Sequence, residues 1–260
     1  ATTLIEKTRA LLRDYGDLAL TLGAAVTDTT GTSVTVASAD DISAGPNTFA
    51  LVDNEMLGIT AANSTTDVIT VIRGARGSTA ATHTNGTLIR INPIWGNHEI
   101  LDALNQAQDA SYPLLYKLVD DTSEEITTDV WEYDLPSTID TLVRVEIETS
   151  TSDVYVVSRN WVMQDTGTVL IEDAHTHTTG RKIRMVGMGR FTAMTLTTNL
   201  DSYYPTDAIP QRYLVLAAAG YLLQERQGPM AKRDSFIGIT DSWQQAQPFM
   251  SATMGRDYIK

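Results

Sequence analysis

An abrupt change in composition and in the spacing of apolar residues constrains the fold of this 260-residue chain more than any single motif. Between Val26 and Asn92, Thr, Ser, Gly and Asn separate short runs in which apolar and polar side chains alternate. A period of two is typical of half-buried strands joined by tight turns, so the stretch predicts a small β-barrel or sandwich. Its strands are expected at Ser33–Ala37, Phe49–Asp53, Glu55–Thr60, Val68–Ile72 and Thr87–Asn92.

The residues before this stretch predict an amphipathic helix. Their apolar side chains recur at spacings of three and four, which places them on one helical face, and Gly16 is a natural stop. The residues of this predicted face are Leu4, Ile5, Thr8, Leu11, Leu12 and Tyr15.

Helical and strand-like patterns alternate again in the second half of the chain. Ile94–Val119 predicts a helix that Pro113 kinks or breaks, because the proline ring clashes with the preceding turn. Another helix is expected to begin near Pro210 and to stop at Gly228-Pro229, and a further amphipathic segment follows it. The strands expected between these helices are Val130–Leu135, Thr141–Glu148, Val154–Ser158, Thr168–Glu172 and Lys182–Val186.

These patterns predict an α+β fold. A helical bundle body, built from N-terminal, central and C-terminal helices, carries an inserted small β-barrel or sandwich and a second β-rich unit. The predicted boundaries are 1–24 for the N-terminal helix, 25–93 for the inserted β-barrel-like domain, 94–119 for the central helix, 120–204 for the β-rich unit, 205–250 for the C-terminal helices and 251–260 for a C-terminal docking tail.

Composition excludes several classes of function. The chain has no cysteine, which rules out disulfides, thiol catalysis and cysteine-based metal sites. Its net charge is −13, although residues 211–260 carry 6 basic and 4 acidic side chains. An acidic protein does not bind nucleic acid by neutralising its phosphates. It could face DNA without binding it, as a channel lining must, or it could simply favour solubility.

The histidines do not build a convincing metal site. His98-Glu99 begins like a metalloprotease helix, but the second His of that motif is missing because position 102 is Asp102. His175 and His177 could reach one metal ion, with carboxylates nearby, yet no third cluster completes the set. A polar turn is the favoured interpretation, and no metal or cofactor is expected.

The glycine-rich stretch around Arg73 and Arg76 lacks the Gly-Lys-Ser/Thr ending of a phosphate loop. A tight turn is the favoured interpretation, with the two arginines contacting a phosphate or an acidic neighbour. There is no Gly-x-Ser-x-Gly elbow and no calcium loop. No catalytic residue is therefore predicted, and the chain is not expected to be an enzyme.

Three stretches, taken in order, carry a resemblance. In Val52–Gly86, an acidic strand residue, Glu55, is followed by an aliphatic–Arg–Gly turn at Arg73 and then by a Thr/Ala/His/Gly loop containing His83. This resembles a β-module that recurs in phage virion proteins. Glu132–Pro136, with an aliphatic strand after it, is similar to the YxLP segment of phage adaptor proteins.

The third stretch is the closing helix Tyr213–Gln227 with a polar helix behind it. In this order, the three stretches resemble the head–tail connector (adaptor) proteins of tailed bacteriophages. The large β-module between the first two helices departs from the smallest, mainly helical adaptors.

The resemblance implies assembly rather than catalysis. Subunits would form a homo-oligomeric ring, commonly of twelve, between the portal protein and a tail or neck protein. DNA would pass through the channel without specific binding. The protein would be made in the bacterial host cytoplasm, would reside in the neck of the virion and would not involve a membrane.

Partner contacts are expected mainly at the C-terminus, where positive charge and apolar anchors coincide on an acidic chain. The residues expected to dock on the portal or another partner are Trp243, Met250, Met254, Arg256, Tyr258, Ile259 and Lys260. Two alternatives stay open. One is another virion subunit, such as a tail-completion, baseplate or decoration protein. The other is a glycan- or receptor-binding β-module that uses Trp131 and Trp161.

Overall fold

A computed structural model describes residues 2–165, 167–197 and 208–234 of the protein. Within these ranges the fold is α+β, as predicted. Three α-helices accompany a six-stranded curled half-barrel sheet and two smaller antiparallel sheets. The helices are α1 (Thr2–Leu12), α2 (Asn97–Ala110) and α3 (Ala208–Asp234).

Helix α1 packs against α3, and Lys7 Nζ donates to Gln211 Oε1 at 2.9 Å. Its buried face contains Leu4, Ile5 and Thr8, as predicted. The predicted face is wrong at its far end, where Leu11 and Tyr15 are exposed and Arg9 is buried instead. The buried face of α1 thus consists of Leu4 and Ile5 and, four residues later, Thr8 and the cationic Arg9.

The six-stranded sheet consists of five strands from the predicted β-domain and one strand, β1, that precedes it. Its strands pair antiparallel in the order β1-β6-β3-β4-β5-β2. Their bounds are β1 Leu18–Thr21, β2 Ser33–Thr35, β3 Phe49–Val52, β4 Glu55–Asn63, β5 Val68–Ile72 and β6 Leu88–Ile91.

The two outer strands of this sheet meet at one end. Gly23 N–H donates to Thr35 O and Ala37 N–H donates to Thr21 O, both at 2.9 Å. Alternate residues point into the curl, so Ile69 and Val71 of β5 are buried. Burying one large aliphatic side chain contributes about 1.5–3 kcal/mol. The residues of this core include Leu22, Val34, Val36, Ala50, Val52, Leu57, Ile59, Ile69, Val71, Ile89 and Ile91.

The other two sheets share a second apolar core. One has the order β10-β9-β13-β7 and the other β11-β12-β8, and all pairs are antiparallel. The strands are β7 Lys117–Glu125, β8 Glu132–Asp134, β9 Thr141–Glu148, β10 Tyr155–Ser158, β11 Trp161–Met163, β12 Thr168–Ile171 and β13 Lys182–Gly189. The core includes Ile126, Tyr133, Val145, Ile147, Val169, Ile171, Ile183 and Met185.

The described residues divide into two compact units. One comprises those up to Ala107 together with those from Met194 onward, and the other comprises Gln108–Ala193. The first unit contains α1, α3, most of α2 and the six-stranded sheet. The second contains the four-stranded and three-stranded sheets.

All ten predicted strands overlap observed ones, but β1, β7 and β11 were not predicted. The prediction of helix for Lys117–Val119 was wrong, because α2 ends at Ala110 and β7 begins at Lys117. Leu115 and Leu118 suit a helical period, yet pairing with β13 overrides this local preference. The stop at Gly228-Pro229 was also wrong, since α3 continues to Asp234. A proline removes one helical hydrogen bond and can kink a helix rather than end it.

Candidate functional site

Glu55, the first residue of β4, is fully buried and anchors an ion cluster. Arg73, directly after β5, forms a two-point pair with it. Nε donates to Glu55 Oε1 at 2.8 Å and Nη2 donates to Oε2 at 2.9 Å. Because β4 and β5 are paired neighbours, the register of the sheet brings the two side chains together. Bidentate geometry makes this one of the stronger side-chain contacts available to a carboxylate.

Three further groups surround the Glu55 carboxylate. The backbone N–H groups of Gly74 and Ala81 donate to Oε1 and Oε2, each at 3.0 Å. His83 Nε2 lies 2.9 Å from Oε2, and its Nδ1 lies 2.8 Å from Asp53 Oδ2. Each ring nitrogen thus faces a carboxylate oxygen, an arrangement that is fully satisfied when both nitrogens carry a proton.

This environment keeps Glu55 charged. Burial is the largest single influence and raises its pKa, because a carboxylate loses its hydration in the interior. The hydrogen bonds from Arg73, Ala81, His83 and Gly74 together outweigh burial and lower the pKa from the ordinary 4.5 to about 2. The carboxylate is therefore an ionised structural centre at neutral pH.

The rest of the Arg73 guanidinium fastens loops. Nη1 donates to the carbonyl oxygens of Asp28 and Gly31 at 2.9 and 3.2 Å, and Nη2 also donates to Ala81 O. One arginine thereby ties the loop before β2 and the loop after β5 to the start of β4. The pairing with Glu55 raises the pKa of Arg73 above its ordinary value.

A second buried pair links α1 to the segment before α2. Arg9 is fully buried, and its Nη1 donates to Asp14 Oδ2 at 2.6 Å. Its Nη2 donates to Asn97 Oδ1 at 2.8 Å and to Trp95 O at 3.1 Å. Burial lowers the pKa of Arg9, although Asp14 opposes that effect. The Asp14 carboxylate also accepts from the N–H groups of Ile94 and Trp95.

Asn97 joins the two buried pairs into one network. While Oδ1 accepts from Arg9, Nδ2 donates to Asp53 O at 2.8 Å and to Asn54 Oδ1 at 2.9 Å. Asp53 in turn contacts His83, which contacts Glu55. A continuous polar path therefore runs from α1, through the start of α2, to the start of β4 in the six-stranded sheet.

The buried charged groups of this network are hydrogen-bonded to one another. Among the described residues, the ring nitrogens of His83 hydrogen-bond to carboxylates and not to a serine or threonine hydroxyl. Across those residues, no group of three or more His, Asp or Glu side chains is placed to hold a metal ion.

Arg76, the other predicted loop contact, has its acidic neighbour within the chain. Nη2 donates to both Glu99 oxygens at 2.6 and 2.8 Å, and Nη1 donates to Ile94 O at 2.9 Å. Its guanidinium carbon lies 5.5 Å from the centre of the Phe49 ring, within cation–π range. Each arginine therefore pairs with an acidic residue of the chain. The sequence had suggested either an acidic neighbour or a phosphate as the partner.

The other candidate residues from the sequence, the two tryptophans, the histidine pair and the docking residues, do not form a common site in the part of the chain that the structure describes. Trp131 is 45% exposed, whereas Trp161 packs against the core of the second unit. His177 is partly buried, and the side chain of His175 lies outside what the structure describes. The predicted docking residues Trp243, Met250, Met254, Arg256, Tyr258, Ile259 and Lys260 also lie outside the described residues.

No described helix is long and apolar enough to cross a membrane. No family model, curated protein or solved structure matches the chain.

Proposed function

We propose that this protein is a structural subunit of a tailed-phage virion that forms a connector ring between the portal and the tail. The observation that carries the proposal is the Glu55 cluster. Glu55, Arg73 and His83 are the landmarks of the virion β-module that the sequence resembles, and they meet in one buried network. Residues that hold loops against a sheet make the subunit rigid, and a rigid subunit is what ring assembly requires.

In this proposal, α1, α2 and α3 form the helical body of the subunit, and the six-stranded sheet is its inserted module. The ring, commonly of twelve copies, extends the DNA channel at the neck of the virion. A net charge of −13 suits a wall along which DNA slides, because an acidic lining repels phosphates. Assembly would follow synthesis in the host cytoplasm.

The C-terminal tail is the proposed contact with the portal. Met254, Tyr258 and Ile259 would supply apolar anchors, and Arg256 and Lys260 would pair with an acidic partner surface. Each large apolar side chain contributes about 1.5–3 kcal/mol on burial, before ordering costs are subtracted. Trp243 and Met250 would extend the contact towards the body.

The proposal is tested by mass measurement of the purified protein alone and mixed with the portal protein of the same phage. A complex with ring stoichiometry supports it. Binding to a baseplate, capsid or other tail protein, with no binding to portal, favours a different virion subunit. Quenching of Trp131 fluorescence by a glycan favours the receptor-binding alternative, because that indole is partly accessible.

A further inference from the structure

An open cleft of about 480 Å³ lies in the second unit, between strand β7 and the loop that joins β8 to β9. Sites for small ligands usually have volumes of roughly 300–1,000 Å³. None of the side chains of the Glu55 network lines this cleft. The cleft is thus separate from that network, and its own residues decide what it can bind.

The cleft exists because the end of β13 carries no side chains beside it. Gly187 lies opposite Val119 of β7, and Gly189 lies opposite Lys117. The loop lies directly on this end of β13, since a Cβ at Gly189 would be only 2.1 Å from Thr138 O. Alternate side chains of β7, which share one face of the strand, form the opposite wall.

The end wall of the cleft, which follows β13, is held in place by hydrogen bonds. Gln108 Nε2, near the end of α2, donates to Phe191 O at 3.3 Å and to Thr192 O at 3.0 Å. The N–H of Arg190 donates to Asp140 Oδ2 at 3.0 Å. These bonds join the wall to α2 and to the β8–β9 loop, so the site is formed before a ligand arrives, which lowers the cost of binding.

Part of the charge around the cleft is neutralised within the protein. Arg190 Nη1 donates to Asp109 Oδ1 at 2.5 Å, and Nε lies 3.7 Å from Asp140 Oδ1. The guanidinium carbon lies 4.7 Å from the centre of the Tyr112 ring. Arg190 is therefore engaged by two carboxylates and an aromatic face, and it offers little net attraction to an anion.

The other polar groups of the cleft are available to a ligand. Within the described residues, Lys117 Nζ and the hydroxyls of Ser137 and Thr138 make no hydrogen bond or ion pair. Asp121 Oδ1 accepts from the N–H and Oγ of Ser123 at 2.9 and 2.5 Å, which leaves Oδ2 as an acceptor. The cleft thus presents a cationic donor, an anionic acceptor and two hydroxyls.

This combination favours a neutral ligand with several hydroxyl groups. An anion would meet the carboxylates of Asp121 and Asp140, and a cation would meet Lys117. An apolar ligand would strip water from these charges without replacing their hydrogen bonds. A hydroxyl both donates and accepts, so a polyhydroxylated ligand satisfies Asp121 and Lys117 together.

Phe191 adds an aromatic surface to the same cleft. Its side chain is partly buried and lines the wall after β13. A sugar ring carries hydroxyls around its edge and C–H groups on its faces, so one face can pack on an aromatic ring while the edge forms hydrogen bonds. A flexible linear polyol lacks such a face.

We propose that this cleft binds a neutral saccharide, with hydroxyls hydrogen-bonded to Lys117 and Asp121 and one face of the sugar ring against Phe191. The site goes beyond the proposed connector role and does not depend on it. The contact proposed for the portal uses the C-terminal tail, whereas all residues of the cleft lie in the second unit. Sugar binding and portal binding can therefore fail separately.

Saturation-transfer NMR on the full chain tests the proposal with glucose, galactose, mannose and N-acetylglucosamine as probes. We expect at least one of these sugars to bind saturably at millimolar concentration. Lys117→Ala, Asp121→Ala and Phe191→Ala should each weaken that binding by about tenfold or more, because each removes one of the contacts proposed for the sugar. The absence of saturable binding by all four sugars would overturn the proposal.

Lys182→Ala and Asp134→Ala are matched controls, because they remove the same charges from positions of the second unit that do not line the cleft. Both should bind the sugar as the parent chain does. Circular dichroism and melting show whether each variant keeps its fold. If Phe191→Ala does not, the variants of Lys117 and Asp121 decide the outcome, because Lys117 is exposed and Asp121 is partly exposed.

Two further arms test the place and the charge of the ligand. Trp131→Ala should leave sugar binding unchanged, because Trp131 does not line the cleft. Binding that is lost in Trp131→Ala but kept in Lys117→Ala would move the sugar to the exposed tryptophan and overturn the assignment. Inorganic phosphate should not displace the sugar, and displacement at millimolar phosphate would make the cleft an anion site instead.

Discussion

Arg73 and Glu55, eighteen residues apart in sequence, form a buried two-point ion pair with Nε–Oε1 and Nη2–Oε2 distances of 2.8 and 2.9 Å. The pair joins β4 to the end of β5 and, through the remaining donors of Arg73, holds two loops against the sheet. The cluster consequently fastens one end of the β4–β5 pair to the loops beside it, and its removal should be costly.

Glu55→Gln should destabilise the protein strongly. The amide keeps the shape of the side chain but leaves the guanidinium of Arg73 buried without its counter-ion, and breaking a buried pair costs about 3–5 kcal/mol. Chemical denaturation measures this loss. Glu6→Gln is the matched control, because it breaks the Arg90–Glu6 pair, which is more exposed, and should cost no more than about 1 kcal/mol. Equal losses in the two variants would contradict a structural role for the cluster.

The same carboxylate should give the protein a specific sensitivity to acid. The pKa of Glu55 is about 2 in the folded chain and 4.5 ordinarily, so the unfolded chain binds its proton first as the pH falls. Its stabilisation is complete above about pH 4.5, decreases below that and is lost near pH 2. The contribution is on the order of 3 kcal/mol. Unfolding free energies measured between pH 6 and 2.5 should fall more steeply for the parent chain than for Glu55→Gln, and parallel curves would refute this assignment.

Asp14→Asn should also be destabilising, because it removes the counter-ion of the fully buried Arg9. The expected loss is again about 3–5 kcal/mol. Asp17→Asn, three residues along the chain, is the control. Asp17 accepts only an exposed hydrogen bond from Asn92 Nδ2 among the contacts described, so the variant should lie within about 1 kcal/mol of the parent. Thermal melts of the two variants that coincide would show that Arg9 does not need Asp14.

Close backbone approach makes Gly189 a sensitive position. A Cβ there would lie 2.1 Å from Thr138 O and 3.0 Å from Val119 Cγ2, so Gly189→Ala forces the end of β13 away from its neighbours. We expect a loss of at least about 2 kcal/mol. Gly58→Ala in β4 is the control, because its Cβ would make only ordinary contacts of 3.6 Å or more. Similar melting temperatures for both variants would contradict the close approach.

The sequence allowed the α+β class and ten strand positions to be predicted, because period-two and period-3.6 patterns are local. It did not reveal β1, β7 and β11. Leu115 and Leu118 have helical spacing, and only pairing with β13, where Leu118 lies opposite Met188, makes the segment from Lys117 a strand. Trp161–Met163 is too short for alternation to stand out.

The candidate site was predictable only in its parts. Arg73 and Arg76 stood out beside their glycines, and an acidic neighbour was one of the two partners expected. Which acid each arginine would meet depends on sheet register and on α2, and no local pattern contains that information. A signal was present in Glu55, an acid placed directly before the apolar run of β4. A charge in such a position is buried only with a partner.

Deletion of the tail separates docking from folding. A chain truncated after Pro248 should keep the helical and strand signals of the parent in circular dichroism but lose affinity for portal by at least tenfold. The physical reason is the loss of the apolar and cationic anchors proposed for 251–260. Portal binding equal to that of the full chain would remove the tail from the proposed interface.

The connector role itself is tested most directly by mass measurement of the full chain with and without the portal protein of the same phage, by native mass spectrometry or light scattering. We expect the mixture to give a complex in which about twelve copies accompany one portal ring, at a mass that neither protein reaches alone. A mixture in which the two proteins keep their separate masses at micromolar concentration would contradict the connector role.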